Sequence, residues 1–277
     1  MKPVRFDYER PNDLATALTL GGREDAVVKF LAGGQSLGPM LNLRLVQPDL
    51  LVDITAIAEL KQIEETADSI VIGSCITHAD IEDGRVPDAT RGLLRTVAAG
   101  IAYRAVRNRG TIGGSVVHAD PSADWLSALA ALGASAIARG AHGDRRMPIE
   151  TFMLGVFESN LKPGELVTAI HVPRLSRTAR WGYHKACRKT GEFAHAIGAF
   201  VRDPARAVCR AVIGATGAKP IVLTDADGLF TGNDGTAAGI NVEMVRKTMS
   251  ARGLTDPIDQ QVHLAVLRRA IGQADGS

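Results

Sequence analysis

Phe30-Leu31-Ala32-Gly33-Gly34-Gln35-Ser36-Leu37 decides how the first part of this 277-residue chain is read. The apolar run over 27–31 predicts a strand. It passes straight into two glycines among small polar residues, and beyond them Leu37, Met40, Leu41 and Leu45 recur at helical spacing until Pro48. The order is strand, glycine turn, helix. Farther on, Gly110-Thr111-Ile112-Gly113-Gly114-Ser115 repeats the chemistry between a helix predicted over 91–103 and another over 121–132, with Pro121 near its first turn. A diphosphate must be met by several backbone N–H groups at close range, and glycine leaves room for that approach. Helix starts at Ser36 or Leu37 and near Pro121 or Ser122 would add partial positive charge, while Gln35, Ser36, Thr111 and Ser115 would supply neutral hydrogen bonds. Either segment alone is more simply a turn whose glycines adopt positive φ and touch no ligand. Two of similar chemistry shift the reading toward a ligand. Neither Gly-x-Gly-x-x-Gly nor Gly-Lys-Ser/Thr is present, which disfavours a nicotinamide fold and a nucleoside triphosphate loop.

Outward from these segments the pattern alternates. Asn12 or Asp13 caps a helix over 14–20 that Gly21-Gly22 stops; strands are predicted over 50–54 and 69–72; Thr77-His78-Ala79-Asp80 reads as a capping box opening a short helix. From about Ala134 short apolar runs separated by turns such as His142-Gly143-Asp144 and Lys162-Pro163-Gly164 raise the strand density. Segments 181–188, 194–201 and 208–213 predict an antiparallel meander, with helices over 242–249 and 260–271 covering one face. The domain boundary falls near Pro173.

Composition narrows the function. A chain that is 45% hydrophobic is long enough for two compact units. Its 32 basic and 30 acidic residues nearly cancel and form no basic block, against a nucleic-acid partner. Cys75, Cys187 and Cys209 are scattered, without the spacing of a zinc site or iron–sulfur cluster, and read as reduced thiols of a cytoplasmic protein. The longest weakly polar run, 126–138, is too short for a bilayer, and no export signal is read at the start. His78, His118, His184 and His195 fit no metal spacing and are read as isolated polar or half-buried side chains.

With both glycine segments in hand, the chain resembles the FAD-binding medium subunits of the molybdenum hydroxylase family, of the carbon monoxide dehydrogenase and xanthine dehydrogenase type. The likeness runs through Phe6-Asp7-Tyr8 with Pro11, both glycine segments, Leu51-Val52-Asp53-Ile54, Ile72-Gly73-Ser74, and Ala119-Asp120-Pro121-Ser122-Ala123-Asp124. It continues through Pro163-Gly164-Glu165-Leu166-Val167 and Tyr183-His184-Lys185 to Leu267-Arg268-Arg269-Ala270. It implies an α+β fold: a two-lobed FAD-binding domain of the vanillyl-alcohol oxidase type over 1–173, with lobes of about 1–55 and 56–173, then a smaller C-terminal sheet-plus-helix domain over 174–277. It also implies FAD here, [2Fe-2S] clusters on a small partner subunit, molybdopterin on a large one, and a heterotrimer, doubled, that passes electrons to an external acceptor.

By matched position, the resemblance implies that Phe30, Leu31, Ala32, Gly33, Gly34, Gln35, Ser36 and Leu37, with Thr111, Gly113, Gly114 and Ser115, wrap the diphosphate and neighbouring sugar. Asp124 falls on flavin hydroxyls, which a carboxylate accepts from in pairs; otherwise it is a first-turn helix acid. Lys185 falls near the flavin pyrimidine edge, where a cation favours the reduced anion; otherwise it is a solvated strand lysine. Ile101, Leu166 and Val167 line the cofactor or are ordinary core. Gln35 replaces a frequent histidine, and Ser115 stands where asparagine is usual. No side chain is assigned as general acid or base and none as a metal ligand. The rivals are a stand-alone flavin oxidase or reductase of the same superfamily, and an assembly protein that has lost the flavin. The substrate, whether carbon monoxide, an N-heterocycle, an aldehyde or an aryl thioester, is written in another chain.

Overall fold

The computed structural model describes residues 1–224, 226–231 and 237–276. The first lobe runs β1 (Asp7–Glu9), α1 (Leu14–Gly21), β2 (Val28–Leu31), α2 (Leu37–Asn42), β3 (Leu50–Asp53). Its strands pair in parallel in the order β1-β3-β2, with Phe30 opposite Val52. Asp13 is the cap of α1, its carboxylate accepting the Thr16 N–H at 2.8 Å, and Leu14 and Ala17 bury against Leu50 and Val52. The helix after the first glycines is shorter than its leucine spacing predicts. Arg44 turns left-handed at φ 59°, and the Leu43, Arg44 and Leu45 amides fold back on Pro39, Leu41 and Met40 carbonyls, closing the helix end. Leu45 is thereby left 70% exposed.

The second lobe contains β4 (Ile63–Glu65), β5 (Ser69–Gly73), α3 (His78–Glu82), α4 (Leu93–Ala99), α5 (Arg104–Arg107), α6 (Ile112–His118) and α7 (Asp124–Ala131). It continues with β6 (Ser135–Gly140), β7 (Gly143–Pro148), α8 (Ile149–Phe152), β8 (Met153–Gly155), β9 (Glu158–Ser159) and β10 (Leu166–Pro173). An antiparallel sheet in the order β4-β5-β10-β6-β7 presents Ile70, Ile72, Ile170 and Val172 to a core shared with Leu93, Val97, Ile112, Val116 and Trp125. The capping box is present, with Thr77 and Asp80 exchanging side-chain and backbone bonds. Two helices differ from expectation. The one predicted over 91–103 is confined between Gly92, left-handed at φ 87°, and Gly100. The second glycine segment is a helix start in its own right: Thr111 Oγ1 accepts the Gly114 N–H at 3.1 Å, so Gly113 and Gly114 lie in the first turn of α6. The helix expected from Pro121 begins at Asp124.

The last part is the antiparallel meander β11 (Arg180–Ala186), β12 (Ala196–Asp203), β13 (Val208–Gly214) and β14 (Ile221–Leu223), then α9 (Val242–Ala251) and α10 (Pro257–Asp275). Residues of β12 alternate between two cores: Phe200 packs with Leu267 and Ile271 of α10, whereas Ala199 and Val201 join the core around Trp125. The sheet is therefore sandwiched between α10 and α7. Gly182 and Gly198 let α10 lie close; a Cβ at Gly182 would stand 1.7 Å from the Ala270 carbonyl oxygen. Parallel and antiparallel sheets with largely separate helices make this an α+β fold, the class the resemblance implies.

Candidate cofactor site

The chain leaves the C-terminal end of β2 at Leu31 and turns through Gly34, which is left-handed at φ 71°. A Cβ at Gly33 would lie 2.0 Å from the Arg109 carbonyl oxygen, so the missing side chain lets the two glycine segments touch backbone to backbone. Gly113 packs equally close on Ser74, where an added Cβ would meet that side chain at 2.4 Å. Between the segments opens a cleft of about 550 Å³.

Phe30, Ala32, Gly33, Gly34, Gln35, Ser36 and Leu37 line it from one side, and Thr111, Gly113, Gly114 and Ser115 from the other. Ile101, Asp124, Leu166 and Val167 complete the wall among the residues singled out from sequence. Leu31 and Lys185 are not on it.

The two segments are not chemically equivalent. Around α6 the amides are already used: Ile112 donates to Ile76 O, Gly113 to Ser74 O, Gly114 to Thr111 Oγ1 and Ser115 to Thr111 O, all within 3.1 Å. On the first segment the amides of Gly34, Gln35, Ser36 and Leu37 have no acceptor among the described residues. The Gln35 side chain folds back, Nε2 donating to Gly33 O at 3.0 Å, and the Ser36 hydroxyl makes no cap bond. Four successive unpaired amides on a wall with no Cβ at Gly33 or Gly34 suit an anionic, oxygen-rich group such as a diphosphate. The residues present therefore fit a dinucleotide, with the amide contacts concentrated on the first segment rather than shared.

At another part of the wall sits a buried polar cluster. Tyr183 Oη donates to Asp124 Oδ1 at 2.6 Å, and Lys185 Nζ lies 2.9 Å from the same oxygen while donating to Gly100 O at 2.8 Å. Burial pushes the Asp124 carboxyl up despite the Lys185 charge and the Tyr183 bond, and burial with the neighbouring carboxylate pushes the Tyr183 phenol well up. Lys185 is neither a solvated strand lysine nor a wall residue; it stands behind Asp124. Tyr183 belongs to the resembling stretch Tyr183-His184-Lys185 but is not among the predicted site residues; alternation along β11 puts it on the same strand face as Lys185.

His78 also lines the cleft, although its sequence context suggested only an isolated histidine. It is 4% exposed, and its Nδ1 accepts the Trp125 Nε1–H at 3.1 Å. No spacing reveals a contact across 47 residues of chain. Tyr103, Phe157 and Phe193 line the cleft and stand exposed, with the Phe157 ring tilted against His118 at a centroid distance of 5.0 Å.

Residues 4–175 match the family described as FAD binding domain in molybdopterin dehydrogenase, and the chain belongs to that family. It is thus an FAD-binding component of an oxidoreductase. It is 37% identical over 224 residues to the carbon monoxide dehydrogenase medium chain of Hydrogenophaga pseudoflava, covering 80% of this chain and 78% of that one. It is 38% identical over 196 residues to the alpha subunit of the 6-hydroxypseudooxynicotine dehydrogenase complex of Paenarthrobacter nicotinovorans, covering 70% of this chain and 66% of that subunit. Among solved structures, a carbon monoxide dehydrogenase from Hydrogenophaga pseudoflava lacking the Mo-pyranopterin moiety superposes with a TM-score of 0.87 at 30% identity, over 100% of this chain and 99% of that one. Quinoline 2-oxidoreductase from Pseudomonas putida 86 gives 0.84 at 27% identity, with the same coverage.

Proposed function

We propose that this chain is the FAD-carrying electron-transfer subunit of a heterotrimeric molybdenum hydroxylase. It takes electrons from [2Fe-2S] clusters of a small subunit and passes them to an external acceptor, while a large molybdopterin subunit oxidises the substrate. The observation that carries this reading is the row of unpaired amides from Gly34 to Leu37 in the cleft. They hold the diphosphate, with the Ser36 hydroxyl beside them; Thr111 and Ser115 add side-chain oxygens; Asp124 accepts from flavin hydroxyls; Ile101, Leu166 and Val167 supply apolar wall. Lys185 acts through Asp124, keeping that buried carboxylate ionised. When bound, FAD supplies the exchange between one-electron and two-electron transfer. The chain's own residues bind, orient and shield it, and none acts as a general acid or base.

In this reading residues 1–173 form the FAD-binding unit, 174–277 a C-terminal unit that covers it, and two heterotrimers associate in the cytoplasm. The named relatives belong to a carbon monoxide dehydrogenase and to a 6-hydroxypseudooxynicotine dehydrogenase complex. Substrate choice belongs to the large subunit here.

The test is the visible absorption spectrum of the purified chain, with the cofactor released by denaturation and identified, followed by copurification with a small [2Fe-2S] subunit and a large molybdopterin subunit. Near one FAD per chain and a three-subunit complex are expected. A colourless chain that takes up no added FAD points to the assembly-protein alternative, and turnover of an organic substrate without partners points to a stand-alone flavoenzyme.

A further inference from the structure

His78 is the first residue of α3, where the Thr77–Asp80 capping box and its own amide, donating to Gly110 O at 2.9 Å, fix its backbone. The ring is held as firmly. Trp125 donates its indole N–H to Nδ1 at 3.1 Å. An indole nitrogen only donates, so Nδ1 carries the lone pair, and in a neutral ring the proton must be on Nε2. Burial and the Arg107 guanidinium hold the imidazole down at about 4, so it is neutral at ordinary pH.

The Nε2 edge faces the second glycine segment. A Cβ placed at Gly110 would stand 2.9 Å from both Cδ2 and Nε2, so the missing side chain is what lets the imidazole pack directly on this segment. Among the described residues no protein acceptor is found for Nε2–H, and both His78 and Gly110 are on the cleft wall. The ring is buried, but Nε2 is not among the sealed, unpartnered polar atoms, so the cleft reaches this donor edge and an acceptor placed there can take the bond.

We propose that His78 is a fixed, neutral hydrogen-bond donor to the bound dinucleotide: Trp125 locks the proton on Nε2, and Nε2–H donates to an oxygen or nitrogen acceptor of the cofactor. The proposal rests on the FAD reading of the cleft. His78 is then a binding residue and Trp125 a positioning residue, its indole serving the cofactor through the imidazole while the adjacent Asp124 serves it from the same wall. A neutral donor suits the place, because it adds a directed bond without adding charge beside the diphosphate.

The full chain, stripped of flavin and labelled with 15N-histidine, is titrated with FAD. Before addition, the spectrum should show a protonated Nε2 and an unprotonated Nδ1 for His78. On addition, the Nε2–H resonance should move downfield. In parallel, flavin fluorescence quenching should give a Kd about tenfold weaker for His78→Phe, the size of one lost hydrogen bond of about 1.4 kcal/mol. His78→Gln keeps an N–H at a similar reach and should recover most of the affinity. Trp125→Phe should yield mixed tautomers and an intermediate Kd. An Nε2–H signal unmoved by FAD in the unaltered chain overturns the proposal without reference to any variant's folding, as does His78→Phe binding FAD as tightly as the parent. In both cases parental binding of FAD leaves the flavin reading standing. If the unaltered chain binds no FAD at all, both fall together.

Discussion

Tyr183 on β11 and Asp124 at the start of α7 are joined by a 2.6 Å hydrogen bond, with Lys185 two residues along the same strand face closing on the same carboxylate oxygen at 2.9 Å. A strand of the meander is thereby tied to the wall of the cofactor cleft by a pair of charges that are each only 11–12% exposed. Such a pair is tolerated only while both members are present, because an unpartnered buried charge keeps the desolvation cost and loses the attraction. The arrangement makes the C-terminal sheet a support behind the cleft wall at Asp124.

Lys185→Met should lower unfolding stability by about 3–5 kcal/mol, since Asp124 is left buried without its counter-charge. Adding Asp124→Asn should restore at least half of that loss. Urea unfolding of the two single variants and the double variant measures the coupling; additive effects would mean that the pair does not interact.

Gly33→Ala should abolish stoichiometric flavin and destabilise the chain by about 1–3 kcal/mol, because the new Cβ lands 2.0 Å from the Arg109 carbonyl oxygen and pries the glycine segments apart. Gly38→Ala, four residues short of the end of α2 and with nothing within 4 Å of the added Cβ, serves as the control. It should be neutral or gain roughly 0.5–1 kcal/mol from helix propensity. The ratio of flavin to protein absorbance reads both outcomes.

Gly182→Ala should loosen α10 from the meander, since its Cβ would stand 1.7 Å from the Ala270 carbonyl oxygen. Hydrogen exchange should accelerate selectively over 257–275 and leave β5 and β10 protected. Uniform acceleration would mean that the sheet and helix are not a separable layer.

Acid should weaken the fold partly through His78. Its pKa is about 4 when folded, below the ordinary value of 6.5, so between those values the unfolded chain binds more protons and stability rises with pH. The contribution is intact above pH 6.5 and falls by roughly 3 kcal/mol as pH drops to 4, then levels off. Comparing the pH dependence of urea unfolding in the parent and in His78→Gln isolates it from the carboxylates. Parallel curves would show that the ring is not held neutral.

The order strand, glycine turn, helix at 28–42 is determined by local chemistry, and so is the meander at 180–214, because period-two alternation and turn residues act within a few positions. The capping box at Thr77 and the cap at Asp13 belong to the same class, since the partners sit three residues apart. Less was legible where two local tendencies competed. The glycines at 113 and 114 suggest a loop, yet Thr111 starts a helix through them, and their N–H groups go to Ser74 O, just past β5, and to the Thr111 hydroxyl. Only the tertiary structure concentrates the free amides at Gly34 to Leu37, sets Lys185 behind Asp124 rather than on the cleft wall, and brings Trp125 to His78. A sequence states which donors and acceptors exist; which of them remain unpaired is decided by packing between segments dozens of residues apart, and a cofactor binds to those that remain.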